Sequence, residues 1–157
     1  MHAFKFQLSV QDGPCTRRRV LSTVNSVFDP IGLIAPVLIE GKIILRKMMT
    51  ETSMWDEPLS GELRQEWVEW KQSLTHLENL NIQRTYVTTS IHNSVRRELY
   101  VFCDASEKAI AAVAYFKVTD IDGVNYTGFV LGKTKVAPSH GQYRSNTYIF
   151  TMSNVGT

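Results

Sequence analysis

Asp104 closes the apolar run Leu99-Tyr100-Val101-Phe102-Cys103-Asp104-Ala105-Ser106. A carboxylate at the edge of a buried strand is a hard oxygen donor suited to a divalent cation. Such an ion needs several oxygen ligands converging from different elements, so the number of acids matters as much as their type. Beyond Asp122 the chain holds no Asp or Glu. Glu107, three residues on, reads as a solvated loop acid, and Asp120 and Asp122 fall in a turn expected to lie far from the strand end. Asp104 is thus the one candidate catalytic and metal-ligating residue, vestigial in an incomplete site. Its plainer reading is a polar cap on a strand end.

Other chemistries find less support. An aspartic peptidase needs an Asp-Thr-Gly or Asp-Ser-Gly loop, because Gly lets the backbone turn tightly and two such loops must pair their carboxylates. Asp104-Ala105-Ser106 is followed by Glu107, not Gly. Cys103 points opposite to Asp104 in a strand and reads as a small buried hydrophobe rather than a nucleophile. His2, His76, His92 and His140 lack metal-ligand spacing.

The elements that must carry these residues divide into two halves. In the first, Val20, Leu21, Val24, Val27 and Phe28 recur at helical spacing, and Asp29-Pro30 predicts a stop, giving a helix over 16–28 behind Arg17, Arg18 and Arg19. Pro36 suits the start of a second helix. Its apolar face is Val37, Leu38, Gly41, Ile44, Leu45 and Met48, with Lys42 and Arg46 outside it. Ile39 and Ile43 fall on its other side, implying a second packing contact or an exposed apolar surface. From Ser60, a cap residue, Leu63, Trp67, Trp70, Leu74 and Leu77 recur at steps of four and three, a narrow stripe that places both indoles in a core rather than on a base-stacking platform.

The period changes in the second half. Residues 82–89 are β-rich and 91–97 polar enough for a connecting loop, while 98–103, 109–118 and 125–131 predict three strands. Asp122-Gly123 supplies a hairpin turn between the last two. Helices grouped before strands give an α+β protein ending in an antiparallel meander.

Composition bounds the function. The 157 residues carry a net charge of +2 and are 43% hydrophobic, enough for a packed core but without the global field of a strongly basic nucleic-acid binder. Two cysteines of unlike setting, Cys15 and Cys103, give no disulfide framework and point to a reducing, intracellular location, cytoplasmic or nuclear. The longest apolar stretch is broken by Pro36 and is too short to span a membrane.

Several separated motifs stand in a specific order: Arg18-Arg19-Val20-Leu21-Ser22, Phe28-Asp29-Pro30-Ile31-Gly32-Leu33-Ile34-Ala35-Pro36, Trp55-Asp56-Glu57-Pro58-Leu59, Phe102-Cys103-Asp104-Ala105-Ser106-Glu107-Lys108-Ala109 and Lys133-Thr134-Lys135-Val136-Ala137-Pro138. From Arg17 to Ser139 this order resembles Bel/Pao-type retrotransposon polyproteins, a region often labelled the Pao retrotransposon peptidase family. The resemblance implies the thumb or connection of a reverse transcriptase running into a ribonuclease H-like domain. It makes Arg17, Arg18, Arg19, Lys42, Arg46 and Lys47 the available phosphate contacts to a template-primer duplex or RNA/DNA hybrid, and Asp104 the first-strand aspartate. The resemblance also implies that in the intact family domain carboxylates on adjacent elements hold a pair of Mg²⁺ ions, which activate water and stabilise the departing oxygen in phosphodiester cleavage, while no cofactor is expected for this chain. The family continues from Val136-Ala137-Pro138 into a Pro-Arg-Leu-Glu-Leu-like helix start whose Glu is the second ligand, with a further Asp on a later strand. Here Ser139-His140-Gly141-Gln142 leads elsewhere. Nothing resembles the Tyr-x-Asp-Asp polymerase motif.

The expected organisation is a leader over 1–16, a helical thumb- or connection-like region over 17–80, a linker over 81–97, a truncated ribonuclease H-like domain over 98–142 and a non-family tail over 143–157. The fold class is α+β, with a three-stranded antiparallel meander of an incomplete ribonuclease H-like fold. The expected function is that of a Pol polyprotein fragment, catalytically inactive alone, whose partner is the rest of the polyprotein and not a membrane. Two alternatives stay open: a nucleic-acid-binding module using the basic helices, and a protein-interaction scaffold using Ile39, Ile43 and exposed sheet.

Overall fold

The computed structural model describes residues 3–6, 13–51, 54–59, 61–83, 94–138 and 147–155. Contacts divide the chain into two units, Met1–Pro30 with Ile34–Gln83, and Ile31–Leu33 with Arg84–Thr157.

The first unit is built on three helices. Helix α1, Arg17–Ser26, begins where the Thr16 hydroxyl accepts from the Arg19 amide at 3.3 Å, satisfying one of the otherwise orphaned N-terminal donors. It ends when Val27 turns extended, at φ −80° and ψ 111°. Helix α2 is Ala35–Glu51; just before it, the Ile34 amide donates to the Asp29 carboxylate at 2.9 Å. Helix α3, Gly61–Thr75, runs into a 3₁₀ turn at His76–Asn79. Two short strands, β1 (Ala3–Phe4) and β2 (Ile82–Gln83), pair antiparallel. Val20, Val24, Leu38, Ile44, Met48, Leu63, Trp67, Trp70, Leu74 and Leu77 are all buried, so the predicted stripe of α3 is core throughout.

Gly41 explains how α2 and α3 approach each other. Its missing side chain leaves room for the Trp70 indole, whose Cζ2 would lie 2.4 Å from a Cβ placed there. The indole Nε1 donates to the Val37 carbonyl at 2.8 Å, and Trp67 stacks on Trp70 with centroids 5.2 Å apart. The indole pair is therefore both apolar filling and a polar link across the helix pair.

The second unit is a four-stranded antiparallel sheet in the order β5-β4-β3-β6, made of β3 (Ser94–Ala105), β4 (Ala109–Asp120), β5 (Asn125–Val136) and β6 (Tyr148–Val155). Ser106–Ala109 closes the first hairpin: the Ser106 amide donates to the Ala109 carbonyl at 2.8 Å. The second turns at Gly123, whose φ of +77° is open to glycine at little cost. Along the outer edge of β5, the Gly132 amide donates to the Ile31 carbonyl at 2.7 Å. Gly32 sits there at φ +74°, and a Cβ on it would come within 1.9 Å of the Gly132 carbonyl oxygen. Both glycines are thus required by backbone lying directly on backbone.

Phe102, Tyr115 and Phe129 form an edge-to-face row across β3, β4 and β5, with centroids 6.1 and 5.9 Å apart. Among the described apolar residues of this unit only Val118 and Ala137 are buried; the others are half-buried or exposed.

The architecture is α+β as expected, with corrections. The sheet has four strands rather than three, because part of the expected non-family tail forms β6. Ser94–Arg97, expected as loop, begins β3; its arginines pair with Thr119 and Val118 of β4 and keep their side chains at the sheet surface. Residues 84–93 and Ser60, on which other expectations rested, lie outside the described residues. Phe28 is 80% exposed because the helix ends before it. Ile39 is buried, since α2 packs against both α1 and α3, so the second packing contact holds and the exposed apolar surface at Ile39 does not.

Candidate functional site

Strand alternation places Arg96, Glu98, Tyr100, Phe102 and Asp104 on one face of β3. Asp104 lies at its C-terminal end opposite Ala111 of β4, and it is exposed rather than held at a buried edge. On its other side the Thr147 hydroxyl donates to Oδ1 at 3.3 Å. Thr147 enters β6, whose Tyr148 pairs with Cys103. Asp104 is therefore flanked by an alanine and a hydroxyl, neither of which supplies negative charge.

The other acids of the sheet are held elsewhere. Glu98 is six residues back along the same strand, about 20 Å away, and is 4% exposed. Its Oε1 accepts from Arg96 Nη2 at 2.9 Å and from the Tyr100 hydroxyl at 3.2 Å, and its Oε2 lies 3.6 Å from Lys117 Nζ. Asp120 lies nine residues along β4 from Ala111, about 30 Å from Asp104, where its Oδ1 accepts from the amides of Asp122 and Val124. Glu107 is exposed at the tip of the first hairpin. Among the described residues, no group of three or more His, Cys, Asp or Glu could hold a metal ion. The described side chains around Asp104 do not fit a two-Mg²⁺ centre.

The basic residues of the helices are mostly engaged within their own unit. Arg17 is buried, with its guanidinium carbon 4.4 Å from the centroid of the Trp55 ring. Arg18 grips Asp56 with both Nε and Nη2, at 2.7 and 2.9 Å, and this holds the Asp56 carboxyl below the usual carboxylate range. Arg19 lies over Gly13, where a Cβ would be 2.6 Å from its Nη2. Lys47 Nζ reaches both oxygens of Glu66, at 2.6 and 2.8 Å. Lys42 is exposed on α2, with Arg46 half-exposed one turn on. The six cations thus do not form one free basic strip.

Sequence reading missed the Glu98 cluster and the Thr147 contact. Glu98 was visible as a charged residue sharing a strand face with Tyr100 and Phe102, which signals a buried acid in need of partners. Thr147 had no local signal, because it meets Asp104 only through the pairing of β6 with β3. Cys103 is half-buried in that pairing, less covered than a small core hydrophobe would be. No helix among the described residues is long and apolar enough to cross a membrane.

A family model described as the Pao retrotransposon-like RNaseH-like domain matches residues 16–145. No curated protein and no solved structure matches the chain. The match covers the three helices and the hairpins carrying Asp104, and it stops short of β6.

Proposed function

The chain belongs to the Pao retrotransposon RNaseH-like family, and from that membership we propose that it is a Pol polyprotein segment that does not hydrolyse RNA/DNA hybrids by itself. One observation carries this reading: β6 lies antiparallel along β3 and brings Thr147, not a carboxylate, to Asp104. The nearest acid on the same strand face, Glu98, is already bound to Arg96, Tyr100 and Lys117. In the intact polyprotein the segment belongs to the machinery of reverse transcription and hybrid hydrolysis, where Mg²⁺ would supply the activated water. Incubation of the purified chain with an RNA/DNA hybrid in Mg²⁺ or Mn²⁺ tests the proposal. No cleavage is expected; divalent-dependent cleavage abolished by Asp104→Asn would overturn it.

Residual nucleic-acid affinity is a second reading, favoured by the exposure of Lys42 beside Arg46 on α2. Arg17 and Arg18, occupied by Trp55 and Asp56, contribute less to it than Lys42.

A further inference from the structure

The first unit holds a cavity of about 400 Å³ beside α3, lined among others by Pro14, Cys15, Pro58, Arg64, Trp67 and Lys71. The volume lies within the range of small-molecule sites. Its wall is drawn together by a backbone hydrogen bond from the Leu59 amide to the Cys15 carbonyl at 2.8 Å. Arg64 and Lys71 are seven residues apart, two helical turns or about 10.5 Å of rise, so they share a face of α3 with Trp67 near the midpoint. Lys71 Nζ stands 5.7 Å from the centroid of the Trp67 ring.

Four observations give this cavity a sign and a texture. Its described lining contains two cations and no acid. Neither Arg64 nor Lys71 is paired with a carboxylate among the described residues, whereas Arg18 and Lys47 both are. Both charges also reach the Cys15 thiol: burial pushes that thiol above its ordinary range, and Lys71 and Arg64 pull it back. The remaining wall is apolar, with two prolines, Leu59, Val68 and the Trp67 ring. A small hydrated inorganic ion would gain nothing from the apolar wall, and a neutral apolar molecule would gain nothing from the two cations, whereas an anion on an apolar body uses both.

We propose that this cavity binds a small organic anion, a carboxylate, sulfonate or phosphate monoester on a compact aromatic or aliphatic body, with Arg64 and Lys71 holding the charge. The site does not depend on Asp104 or on hybrid hydrolysis.

Cys15 provides the readout. The full-length chain is alkylated with iodoacetate or with neutral iodoacetamide at low salt, and peptide mapping reads Cys15 and Cys103 separately. The ratio of the two rates cancels the thiolate fraction. At Cys15 it is expected to exceed the ratio for N-acetylcysteine amide by at least about threefold, about 0.65 kcal/mol of attraction at 1.36 kcal/mol per factor of ten, and to fall with added NaCl. Arg64→Gln/Lys71→Gln should abolish the excess at Cys15 and leave Cys103 unchanged. In a second arm, 1-naphthalenesulfonate protects Cys15 saturably from iodoacetamide and 1-naphthalenemethanol does not. An equal ratio at Cys15 and the model thiol, or equal protection by both naphthalenes, would overturn the proposal. Isothermal titration calorimetry with 1-naphthalenesulfonate reads binding without the thiol, and no saturable binding there, or binding unchanged by Arg64→Gln/Lys71→Gln, would overturn it whatever the reactivity of the buried Cys15. So would protection by a thymidine oligonucleotide but not by the sulfonate, which would make the surface a phosphodiester contact.

Discussion

Among the described residues, four ion pairs tie charged side chains to one another, and each limits what its members can do. Asp56 shows the effect: Arg18 donates two hydrogen bonds to it, so its carboxyl titrates below the ordinary 3.8. The sign follows from linkage. A carboxyl depressed in the folded state adds stability above its unfolded pKa and loses that contribution as pH falls through its folded value. Arg18→Ala should therefore move the Asp56 titration, followed by carboxyl NMR shifts, back up towards 3.8; an unmoved midpoint would mean that the pair does not persist in solution. Because both groups are exposed, the melting temperature should hardly change. Gly41 makes a sharper prediction. Alanine favours a helix over glycine by about 1 kcal/mol, yet Gly41→Ala drives a Cβ into the Trp70 ring. Overpacking of this kind costs about 1–3 kcal/mol, so Gly41→Ala should lower the urea midpoint while Lys42→Ala, one residue on and exposed, leaves it nearly unchanged. Equal behaviour of the two variants would remove the indole from its place against α2. The core role of Trp67 and Trp70 was legible from spacing alone; their link to Gly41 and Val37 was not, because it joins residues about thirty positions apart.

At the scale of elements, local signals found what local physics specifies. The stripe of α3, the Asp29-Pro30 stop and the Asp122-Gly123 turn each depend on neighbours within a few residues, and each appears in the structure close to its expected place. β6 depends on a partner strand more than forty residues away, so its alternation could not be assigned before β3 was seen as an open edge. That strand carries exposed Tyr148, Ile149, Phe150 and Met152 on both of its faces. It protects β3 by pairing and becomes the new sheet edge itself, a position that uncharged apolar strands occupy at some risk of association. Deleting residues 148–155 should unprotect alternate amides of β3 between Leu99 and Cys103 in hydrogen exchange. Unchanged protection would show that β6 contributes no pairing to β3.

Across the whole molecule, an α+β chain of two units carries a well-filled helical core and a sheet whose apolar residues are mostly half-covered. The α+β class followed from the change of hydrophobic period, and the family from motifs spread along both units. The state of the acid site did not follow from either, since it turns on which strand lies beside Asp104. Among the described residues Asp104 has no second carboxylate beside it to complete a metal centre, and thermal melting with Mn²⁺ reads this directly. An ion bound only by the folded chain raises stability by RT ln(1 + [Mn²⁺]/Kd), about 2.7 kcal/mol at a hundredfold excess over Kd. Millimolar Mn²⁺ should shift the melting curves of the native chain and of Asp104→Asn by the same small amount; a Mn²⁺-dependent rise of several degrees in the native chain, absent from Asp104→Asn, would show that Asp104 does anchor a metal site.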